Sequence, residues 1–324
     1  MAKPFVKWAG GKGNLLKQLE QLLPDNFDEQ QNVTYIEPFV GGGAMLFHML
    51  THHKNIRRVV INDINADLIR CYQLIKNNPL LLIDKLRELE NLFYLHEFID
   101  RKELFYIYRD RYNQDCLNQD ERAVLFLFLN RTCFNGLYRV NASGKFNVPY
   151  GRYKKPLICN EELIMEDHRL LNSVDAIIRA SGDYTLVARH LGHRGLNFVY
   201  FDPPYRPLSD TSSFNDYTKE AFNDDSQVRL KEFCDQVVAG GHSFMLSNSD
   251  CKGKNEADNF FDVLYADYHI DRVMASRNVN ANGAKRGKIS ELLVHSYRNT
   301  KDHQPNKIND YKPQHVAIKQ KIYA

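Results

Sequence analysis

The stretch from residue 33 to residue 64 constrains the fold of this chain more than any other part of the sequence. It reads as an apolar strand at 33–39, a glycine turn at 41–43, a helix, and a second apolar strand at 58–64 that carries Asp63. Strands that are joined through a helix lie parallel in one sheet, so the pattern predicts a βαβ unit.

The α/β pattern is interrupted and then resumes. Residues 79–131 show helical periodicity, and "NASGK" at 141–145 is a hairpin turn signal. After Asn160 the sequence predicts further alternating elements: helices at 160–171 and 219–239, and strands at 176–180, 197–201, 242–247 and 290–297.

These patterns predict an α/β protein with a discontinuous core and one insert. We expect the core to comprise residues 1–76 and 157–298, and a mostly helical insert with a β-hairpin to comprise residues 77–156. Residues 299–324 are polar and contain two prolines, which predicts a flexible tail.

Composition narrows the class of protein. The chain has 324 residues, of which 43% are hydrophobic and 26% charged, as in a globular protein. No window approaches the ~20 apolar residues of a membrane span, and "MAKPFVKWAGGKG" lacks a signal core, so we expect a cytoplasmic protein without a membrane partner. The six cysteines show no C-x-x-C spacing, which indicates reduced thiols rather than zinc ligands or disulfides.

The distribution of charge says more than the net charge of +3. Residues 123–160 and 272–290 contain no Asp or Glu, but both carry several Lys and Arg residues, and the first segment has aromatic residues between them. Such segments suggest contact with phosphates. An ordinary solvated basic face remains the alternative, and charge alone does not decide between the two.

The glycine turn and Asp63 together favour a nucleoside ligand. Asp63 lies twenty residues after Gly43, where it could reach the two ribose hydroxyls. Leu46 stands where a dinucleotide fingerprint has its third glycine, which disfavours NAD and FAD. A P-loop is excluded because Gly13 stands where Ser or Thr is required after "GGK". An ordinary tight connection is the more common explanation of a glycine turn alone.

The stretch "VYFDPPYRPL" at 199–208 joins a strand end to an acid, two prolines and an aromatic residue. Proline cannot continue the ladder, so the strand stops there. The Asp202 carboxylate and the Pro203 carbonyl could each accept a hydrogen bond from an exocyclic amino group, while the Tyr205 ring stacks on the base. The alternative is a simple strand stop capped by an acid.

Trp8 is the only tryptophan, and it lies beside two glycines and two lysines in "FVKWAGGK". One interpretation makes it a core anchor. The other makes it a flat wall beside a ligand, with Lys12 placed to pair with a carboxylate.

Six motifs occur in one order: "FVKWAGGK", "IEPFVGGGAMLF", "INDINADLI", "FNGLYRVNASGKFNVPYGRYKKP", "DPPYRPLS" and "LSNSD". In these motifs the chain resembles the Dam-type, alpha-class DNA adenine methylases from about Phe5 to Tyr297, and only the tail departs from that family. The resemblance implies a methyltransferase-like Rossmann core that binds S-adenosylmethionine (SAM), with 77–156 as the target-recognition domain.

The same resemblance implies a function. We expect a monomeric enzyme, without a metal, that transfers a methyl group from SAM to N6 of a flipped-out adenine in double-stranded DNA, within GATC. A cognate restriction endonuclease is the partner system that such enzymes can have. Methylation of another amine, such as cytosine N4, and a DNA-binding protein that has lost catalysis are the alternatives.

The resemblance also assigns roles to individual residues. The implied catalytic residues are Asp202, Pro203, Pro204 and Tyr205. The implied cofactor-binding residues are Trp8, Lys12, Phe39, Gly41, Gly43, Asp63, Asp183, Tyr184 and Asp202, although "SGDYTLV" around 183–184 is a looser match. On the DNA side, the implied base-contacting residues are Lys7, Phe134 as a wedge, Leu137, Arg139, Pro149 and Tyr153. The implied phosphate contacts are Arg109, Arg131, Asn141, Asn147 and Lys154.

Overall fold

A single seven-stranded sheet organises the part of the chain that the structure describes. The structure is a computed structural model, and it describes residues 2–97, 100–114, 116–179, 181–192, 194–207, 222–276 and 288–299. The strands are β1 Val33–Glu37, β2 Ile56–Ile61, β3 Asp175–Ile178, β4 Asn197–Phe201, β5 Ser243–Ser249, β6 His269–Ser276 and β7 Lys288–His295. Their order across the sheet is β3-β2-β1-β4-β5-β7-β6.

The sheet is parallel over its first five positions. β1 pairs in parallel with β2 and β4, β2 with β3, and β4 with β5, whereas β7 runs antiparallel to both β5 and β6. Every residue of β1 and β4 is buried, as expected for central strands that helices cover on both faces. The prediction of an α/β Rossmann-like core with a parallel-rich sheet is therefore confirmed.

Five of the α-helices in the described residues begin at an asparagine whose side chain caps the first turn. The helices are α1 Leu16–Gln21, α2 Ala44–His52, α3 Ala66–Asn77, α4 Pro79–Leu95, α5 Arg101–Tyr112, α6 Gln119–Thr132, α7 Glu161–Asn172, α8 Asp224–Ala239, α9 Cys251–Lys254 and α10 Phe260–Leu264. The Asn65 side chain accepts a hydrogen bond from Leu68 N at the start of α3. Asn118 and Glu121 form a capping box at the start of α6.

The predicted hairpin is present, but its arms are irregular. Two isolated antiparallel bridges, Cys133 with Tyr150 and Val140 with Phe146, hold the arms together. At the tip, Asn141 Oδ1 accepts hydrogen bonds from two backbone amides at 3.0 Å each.

The helical insert packs against the core and shares its hydrophobic interior. One cluster of buried side chains contains residues of both parts of the chain. Arg122 of α6 donates to Asp67 of α3 at 2.6 Å, and the Tyr112 hydroxyl of α5 donates to the same carboxylate. The insert is therefore docked on α3 by a largely buried charged network as well as by apolar contacts.

Some elements differ from the sequence-based expectation. Strand β6 was not predicted, because Asp271 and Arg272 interrupt its apolar pattern, as is common for a strand at a sheet edge. Near the N-terminus, a short 3-10 turn at Lys12–Asn14 precedes α1. Helix α8 begins after its N-cap Asn223, and residues 208–221 lie outside the described residues.

Several predicted segments fall partly outside the described residues. Of the acid-free segment 272–290, residues 277–287 are not described, and neither is 300–324 of the predicted tail. Asn299, the first residue assigned to the tail, is buried and donates hydrogen bonds to the carbonyls of Gln21 and Leu23. Within the described ranges, no helix is both long enough and apolar enough to cross a membrane.

Candidate active site

The candidate site lies where the order of strands reverses in the sheet. β1 and β4 are neighbours in the sheet. β2 and β3 lie on the β1 side, and β5, β7 and β6 lie on the β4 side. In open α/β sheets, ligands bind at such a switch point, beyond the carboxyl ends of the strands. The glycine turn follows β1, Asp63 follows β2 and Asp202 follows β4, so the sheet brings these residues to one edge.

The glycine turn adopts a backbone that requires glycine. Gly41 and Gly43 have φ values of +49° and +79°, in the left-handed region. A Cβ on Gly41 would lie 3.0 Å from Cδ1 of Trp8, and one on Gly43 would collide with the Tyr72 hydroxyl. Tyr72 donates to the Gly41 carbonyl at 3.0 Å, which fixes the turn from the side of α3. The bare backbone is thus held in place for close approach of a ligand.

Asp63 faces this turn. Its Oδ2 accepts from Gly41 N at 3.0 Å, and its Oδ1 accepts from Asn65 N at 2.9 Å. Burial raises the pKa of Asp63 to about 6, although the backbone donors oppose that shift. The carboxylate remains ionised at neutral pH and can accept further hydrogen bonds, as the two hydroxyls of a ribose would require.

Asn62, which the sequence reasoning did not single out, supports the same corner. It is fully buried and donates to the carbonyls of Pro38 and Gly182 at 3.1 and 2.9 Å. Gly182 in turn donates to the Asp63 carbonyl at 3.1 Å. The loop that begins at Gly182 is therefore held against the glycine turn. The signal was available in "INDINADLI", a motif from which only Asp63 was selected.

Asp183 and Tyr184 lie on that loop. Asp183 caps the 3-10 helix Tyr184–His190 through Thr185 N at 2.9 Å and pairs with Arg229 at 2.9 Å. These donors lower the pKa of Asp183 against the opposing effect of burial. Tyr184 is buried, and its ring centroid lies 5.2 Å from that of Phe39. The pair forms an aromatic wall beside the Asp63 corner.

The carboxylate that was predicted to pair with Lys12 proves to be Asp202. Lys12 Nζ lies 2.8 Å from Asp202 Oδ1 and donates to the Gly10 carbonyl at 3.0 Å. Lys12 is only 6% exposed, so this pair is screened little by water. Burial raises the pKa of Asp202 to about 6, and the charge and hydrogen bond of Lys12 limit the rise. Lys12 Nζ also lies 4.4 Å from the ring centroid of Tyr205.

The Asp-Pro-Pro-Tyr turn is held from behind by side chains that sequence reasoning missed. Gln227 Nε2 donates to the Pro204 carbonyl at 3.2 Å, and its Oε1 accepts from Asn248 Nδ2 at 3.1 Å. The Tyr205 hydroxyl donates to Glu291 at 2.6 Å. Asn248 lies in the motif "LSNSD" and could have been selected, whereas Gln227 and Glu291 lie in ordinary helix and strand patterns.

Arg206 fixes the far end of the turn. Its guanidinium donates to Asp224 at 2.7 and 3.1 Å and to Asp258 at 2.6 Å. Its backbone amide donates to Asn248 Oδ1 at 3.1 Å. A bidentate pair of this kind is geometrically specific, so it ties the turn to the start of α8.

The hairpin presents most of the predicted DNA-contacting side chains at the surface. Phe134 is 50% exposed and Leu137 is 38% exposed, which is unusual for large apolar residues. The other exposed members of the set are Arg139, Asn141, Pro149 and Lys154 on or beside the hairpin, and Lys7 in the N-terminal segment. Arg139 Nε donates to Asn147 Oδ1 at 2.8 Å, so these two predicted residues contact each other.

Lys7 and the remaining predicted DNA-contacting residues are held more closely by the protein. Lys7 exchanges two backbone hydrogen bonds with the Asn130 side chain, at 2.9 and 2.8 Å, and its Nζ lies 4.4 Å from the ring centroid of Tyr153. Arg131 donates to the Phe5 carbonyl at 2.6 Å, and burial lowers its pKa. Arg109 lies on α5, away from the hairpin sequence, and its guanidinium contacts the Tyr106 ring and Asp110.

Trp8 connects the glycine turn to the hairpin. Its ring lies against Gly41 and stacks on Tyr138 with a centroid distance of 5.8 Å and an interplanar angle of 25°. It is half-buried, so the structure is compatible both with a packing role and with a wall beside a ligand.

No disulfide links the six cysteines, and five of them are buried. Among the described residues, no group of three or more His, Cys, Asp and Glu side chains could hold a metal ion.

Comparison with known proteins assigns the chain to a family. The model of the D12 class N6 adenine-specific DNA methyltransferases matches residues 8–279. The type II methyltransferase M.MjaIII of Methanocaldococcus jannaschii is 45% identical over 91% of this chain and 99% of its own length. The type II methyltransferase M1.LlaDCHI of Lactococcus lactis is 39% identical over 92% and 96%, and the DNA adenine methylase of Escherichia coli K12 is 33% identical over 90% and 94%.

The solved structure of the rRNA methyltransferase aviRa from Streptomyces viridochromogenes aligns over 87% of this chain and 83% of its own, with a TM-score of 0.32 and 12% identity. That likeness is too distant to add to the assignment. The family match and the sequence relatives define a DNA methyltransferase with the fold that such enzymes use. More specifically, the chain belongs to the D12 class of N6 adenine-specific DNA methyltransferases, and it is an enzyme that acts on adenine in DNA.

Proposed function

We propose that this enzyme transfers a methyl group from SAM to N6 of an adenine that is flipped out of double-stranded DNA, within the site GATC. One observation above all supports the proposal. Asp202, at the tip of β4, pairs with Lys12 at 2.8 Å on the same sheet edge as the glycine turn and Asp63. The Asp202 carboxylate, which can accept a hydrogen bond from an amine, thus lies on the same sheet edge as the glycine turn and Asp63, which suit a nucleoside.

The residues of that corner fit SAM. In the glycine turn a Cβ on Gly41 would crowd Trp8 and one on Gly43 would collide with Tyr72, so the backbone there is bare. Asp63 offers acceptors for ribose hydroxyls. Phe39 and Tyr184 provide an aromatic wall suited to an adenine ring. Trp8, Lys12 and Asp183 complete the proposed binding set. When bound, SAM supplies an electrophilic methyl group on a sulfonium centre.

Asp202 and the turn that follows it activate the target amine. The lone pair of adenine N6 is delocalised into the ring, so the free amine is a poor nucleophile. Hydrogen bonds from its two protons to the Asp202 carboxylate and the Pro203 carbonyl would localise that lone pair. The positive charge that develops on N6 lies beside Asp202, which stabilises it in the transition state. The surplus proton then leaves to Asp202 or to water.

The protonation state of Asp202 sets a pH requirement. Because the pKa of Asp202 is raised to about 6, its carboxylate is mostly ionised at pH 7 and becomes protonated as the pH falls. A protonated Asp202 cannot accept the amine proton or stabilise charge on N6. The proposed mechanism therefore requires activity to decline below about pH 6.

We propose that residues 77–156 are the target-recognition domain. Flipping a base out of the duplex costs a few kcal/mol, and the half-exposed Phe134 could fill part of the gap that the base leaves. Arg139 can donate two hydrogen bonds to O6 and N7 of a guanine, and Leu137 can contact a thymine methyl group. Lys7, Pro149 and Tyr153 complete the proposed base contacts. The proposed phosphate contacts are Arg109, Arg131, Asn141, Asn147 and Lys154.

The choice of GATC is supported by the resemblance of the hairpin sequence to that of GATC-methylating enzymes. Two of the relatives are named type II methyltransferases, which supports a restriction endonuclease as partner system. Resistance of DNA from cells expressing the enzyme to an endonuclease that is blocked by N6-methyladenine in GATC would test the site in vivo.

Tritium transfer from labelled SAM to DNA tests the proposal directly. The methylated DNA is digested to nucleosides and the labelled base is identified by chromatography. We expect N6-methyladenine from oligonucleotides that contain GATC, and little label when any one of the four bases is changed. Label in N4-methylcytosine would support the alternative substrate. DNA binding without transfer by freshly purified enzyme would support a non-catalytic role.

A further inference from the structure

Tyr205 is held by a residue from a distant part of the chain. The Tyr205 hydroxyl donates to Glu291 Oε2 at 2.6 Å, and the two residues are 86 positions apart. Glu291 lies on β7, the strand that runs against the rest of the sheet. A short hydrogen bond to a carboxylate is stronger than one between neutral groups. The bond therefore ties the ring of the Asp-Pro-Pro-Tyr turn to the sheet.

The backbone that carries Glu291 is rigid. Glu291 is paired with Ser249 of β5 on one side and with Val273 of β6 on the other. A side chain on a strand between two ladders is positioned more accurately than one on a loop. Glu291 can thus hold the Asp-Pro-Pro-Tyr turn, which has no regular secondary structure, in a fixed position relative to the sheet.

A second contact defines the tilt of the same ring. Lys12 Nζ lies 4.4 Å from the Tyr205 ring centroid, within the range of a cation–π contact. The hydrogen bond at the para position and the cation at the face together fix both the rotation and the tilt of the ring. Lys12 is itself anchored by Asp202 at 2.8 Å. The four side chains form one chain of contacts from β7 to the tip of β4.

Glu291 also acts on Asp202 through charge. Burial has the largest effect on the pKa of Asp202 and raises it. The charge and the hydrogen bond of Lys12 lower that pKa, and the negative charge of Glu291 raises it. The two carboxylates thus oppose each other across Tyr205, while Lys12 compensates. Glu291 is placed to influence both the geometry and the protonation of the site.

We propose that Glu291 is a positioning residue for methyl transfer: its carboxylate fixes the Tyr205 ring as the stacking surface for the target base and sets the charge balance around Lys12 and Asp202. This inference rests on the proposed function, because it assumes that Tyr205 stacks on a flipped base. Glu291 itself does not contact the reacting atoms.

A double-mutant cycle tests the geometric part. Single-turnover methylation of a GATC duplex is measured for wild type, Glu291→Ala, Tyr205→Phe and the double variant. We expect each single change to slow the step about 10- to 100-fold, because each removes the same hydrogen bond to a charged group. The double variant should be little slower than either single variant. Glu291→Gln, which keeps an acceptor oxygen, should recover much of the rate lost in Glu291→Ala.

The pH profile of kcat/KM tests the part that depends on charge. Without the Glu291 charge, the pKa of Asp202 should fall, so the acid limb should move to lower pH in Glu291→Gln and Glu291→Ala. It should stay in place in Tyr205→Phe, which keeps the carboxylate. A purely structural role for Glu291 would not move that limb. Glu256→Ala, which removes an exposed carboxylate, is the matched control and should change neither rate nor profile.

The inference would be overturned if the rate losses of the two single variants multiplied in the double variant. It would also be overturned if the acid limb of the pH profile did not move in Glu291→Gln. If Glu291→Ala fails to fold, Glu291→Gln and Tyr205→Phe decide the matter through the same pH profiles. A wild-type enzyme that methylates no adenine refutes the proposed function before any variant is compared. A wild-type enzyme that methylates adenine but shows independent losses refutes only the role of Glu291.

Discussion

Replacement of Arg139 by alanine is the sharpest test of how this enzyme chooses its site. Arg139 is exposed on the hairpin, and its Nε is already bonded to Asn147 Oδ1 at 2.8 Å. That bond leaves both terminal amino groups of the guanidinium available to a guanine edge and restricts the directions in which they point. In the proposed site GATC, we expect the guanine opposite the final cytosine to be the partner of Arg139.

The magnitude follows from the kind of contact. A bidentate arginine–guanine pair contributes about 1–3 kcal/mol of discrimination, so Arg139→Ala should slow methylation of GATC about 5- to 150-fold. The loss should be confined to discrimination at the fourth base pair. Asn147→Ala releases the orientation of Arg139, so it should reduce discrimination at the fourth base pair more weakly, by about 0.5–1.5 kcal/mol. Because Asn147 is also a proposed phosphate contact, the same change should slow methylation of every sequence.

Lys154→Ala is the matched control. Lys154 is exposed beside the hairpin and is proposed to contact a phosphate, so its removal should weaken methylation of all sequences alike. Methylation rates would be measured on GATC and on oligonucleotides with each single substitution. An Arg139→Ala enzyme that is slower but equally selective at the fourth pair would show that the arginine holds a phosphate and does not read a base.

Four further predictions follow from the site and the core. Asp202→Ala should lower turnover about 10²- to 10³-fold while SAM binding stays nearly intact; near-wild-type turnover would refute its role. Asp63→Ala should weaken SAM binding by about 1.5–3 kcal/mol in isothermal titration, and an unchanged dissociation constant would contradict its placement. DNA affinity should fall as the salt concentration rises. A plot of log affinity against log salt concentration should have a slope between about −2 and −3 for the proposed phosphate-binding cations Arg109, Arg131 and Lys154. The steeper slope is expected if Arg131 leaves the Phe5 carbonyl to bind a phosphate. A salt-independent affinity would exclude these contacts. Burial raises the pKa of Asp167 to about 8, above its value in the unfolded chain, so its contribution to stability is present at low pH and is lost as the pH rises towards 8. Asp167→Asn should therefore flatten the decline in Tm between pH 5 and pH 8, and parallel curves would contradict the burial of that charge.

The sequence predicted the centre of the sheet better than its edge. β1 and β4 are buried on both faces, so most of their residues are apolar or aromatic, and such strands are easily recognised. β6 lies at the edge, where one side faces solvent and charged residues such as Asp271 are tolerated. Nothing in the local pattern of β7 indicates that it runs antiparallel, because strand direction depends on the connection and not on side-chain alternation.

The same distinction applies to the candidate site. Asp63 could be selected because it follows a recognisable strand twenty residues after the glycine turn, and Asp202 because it stands between a recognisable strand and two prolines. Gln227 and Glu291 could not, because each belongs to an element whose local pattern serves packing or pairing. They reach the turn only when α8 and β7 come together on the completed sheet. Their roles depend on tertiary contacts, which a local pattern does not encode.

The N-terminal motif "FVKWAGGK" contacts both the hairpin region and the strand ends of the sheet. Lys7 contacts Tyr153 beyond the hairpin, Trp8 packs between the glycine turn and Tyr138, and Lys12 reaches Asp202. Gly10 has a φ of +77°, so the chain can turn back after Trp8 and bury Lys12 at the tip of β4. Because the motif contacts the hairpin, the glycine turn and the acid at β4 in succession, its residue spacing matches the distances between these parts. If the proposed roles of these residues hold, a change in that spacing should therefore disturb DNA recognition, cofactor binding and catalysis together.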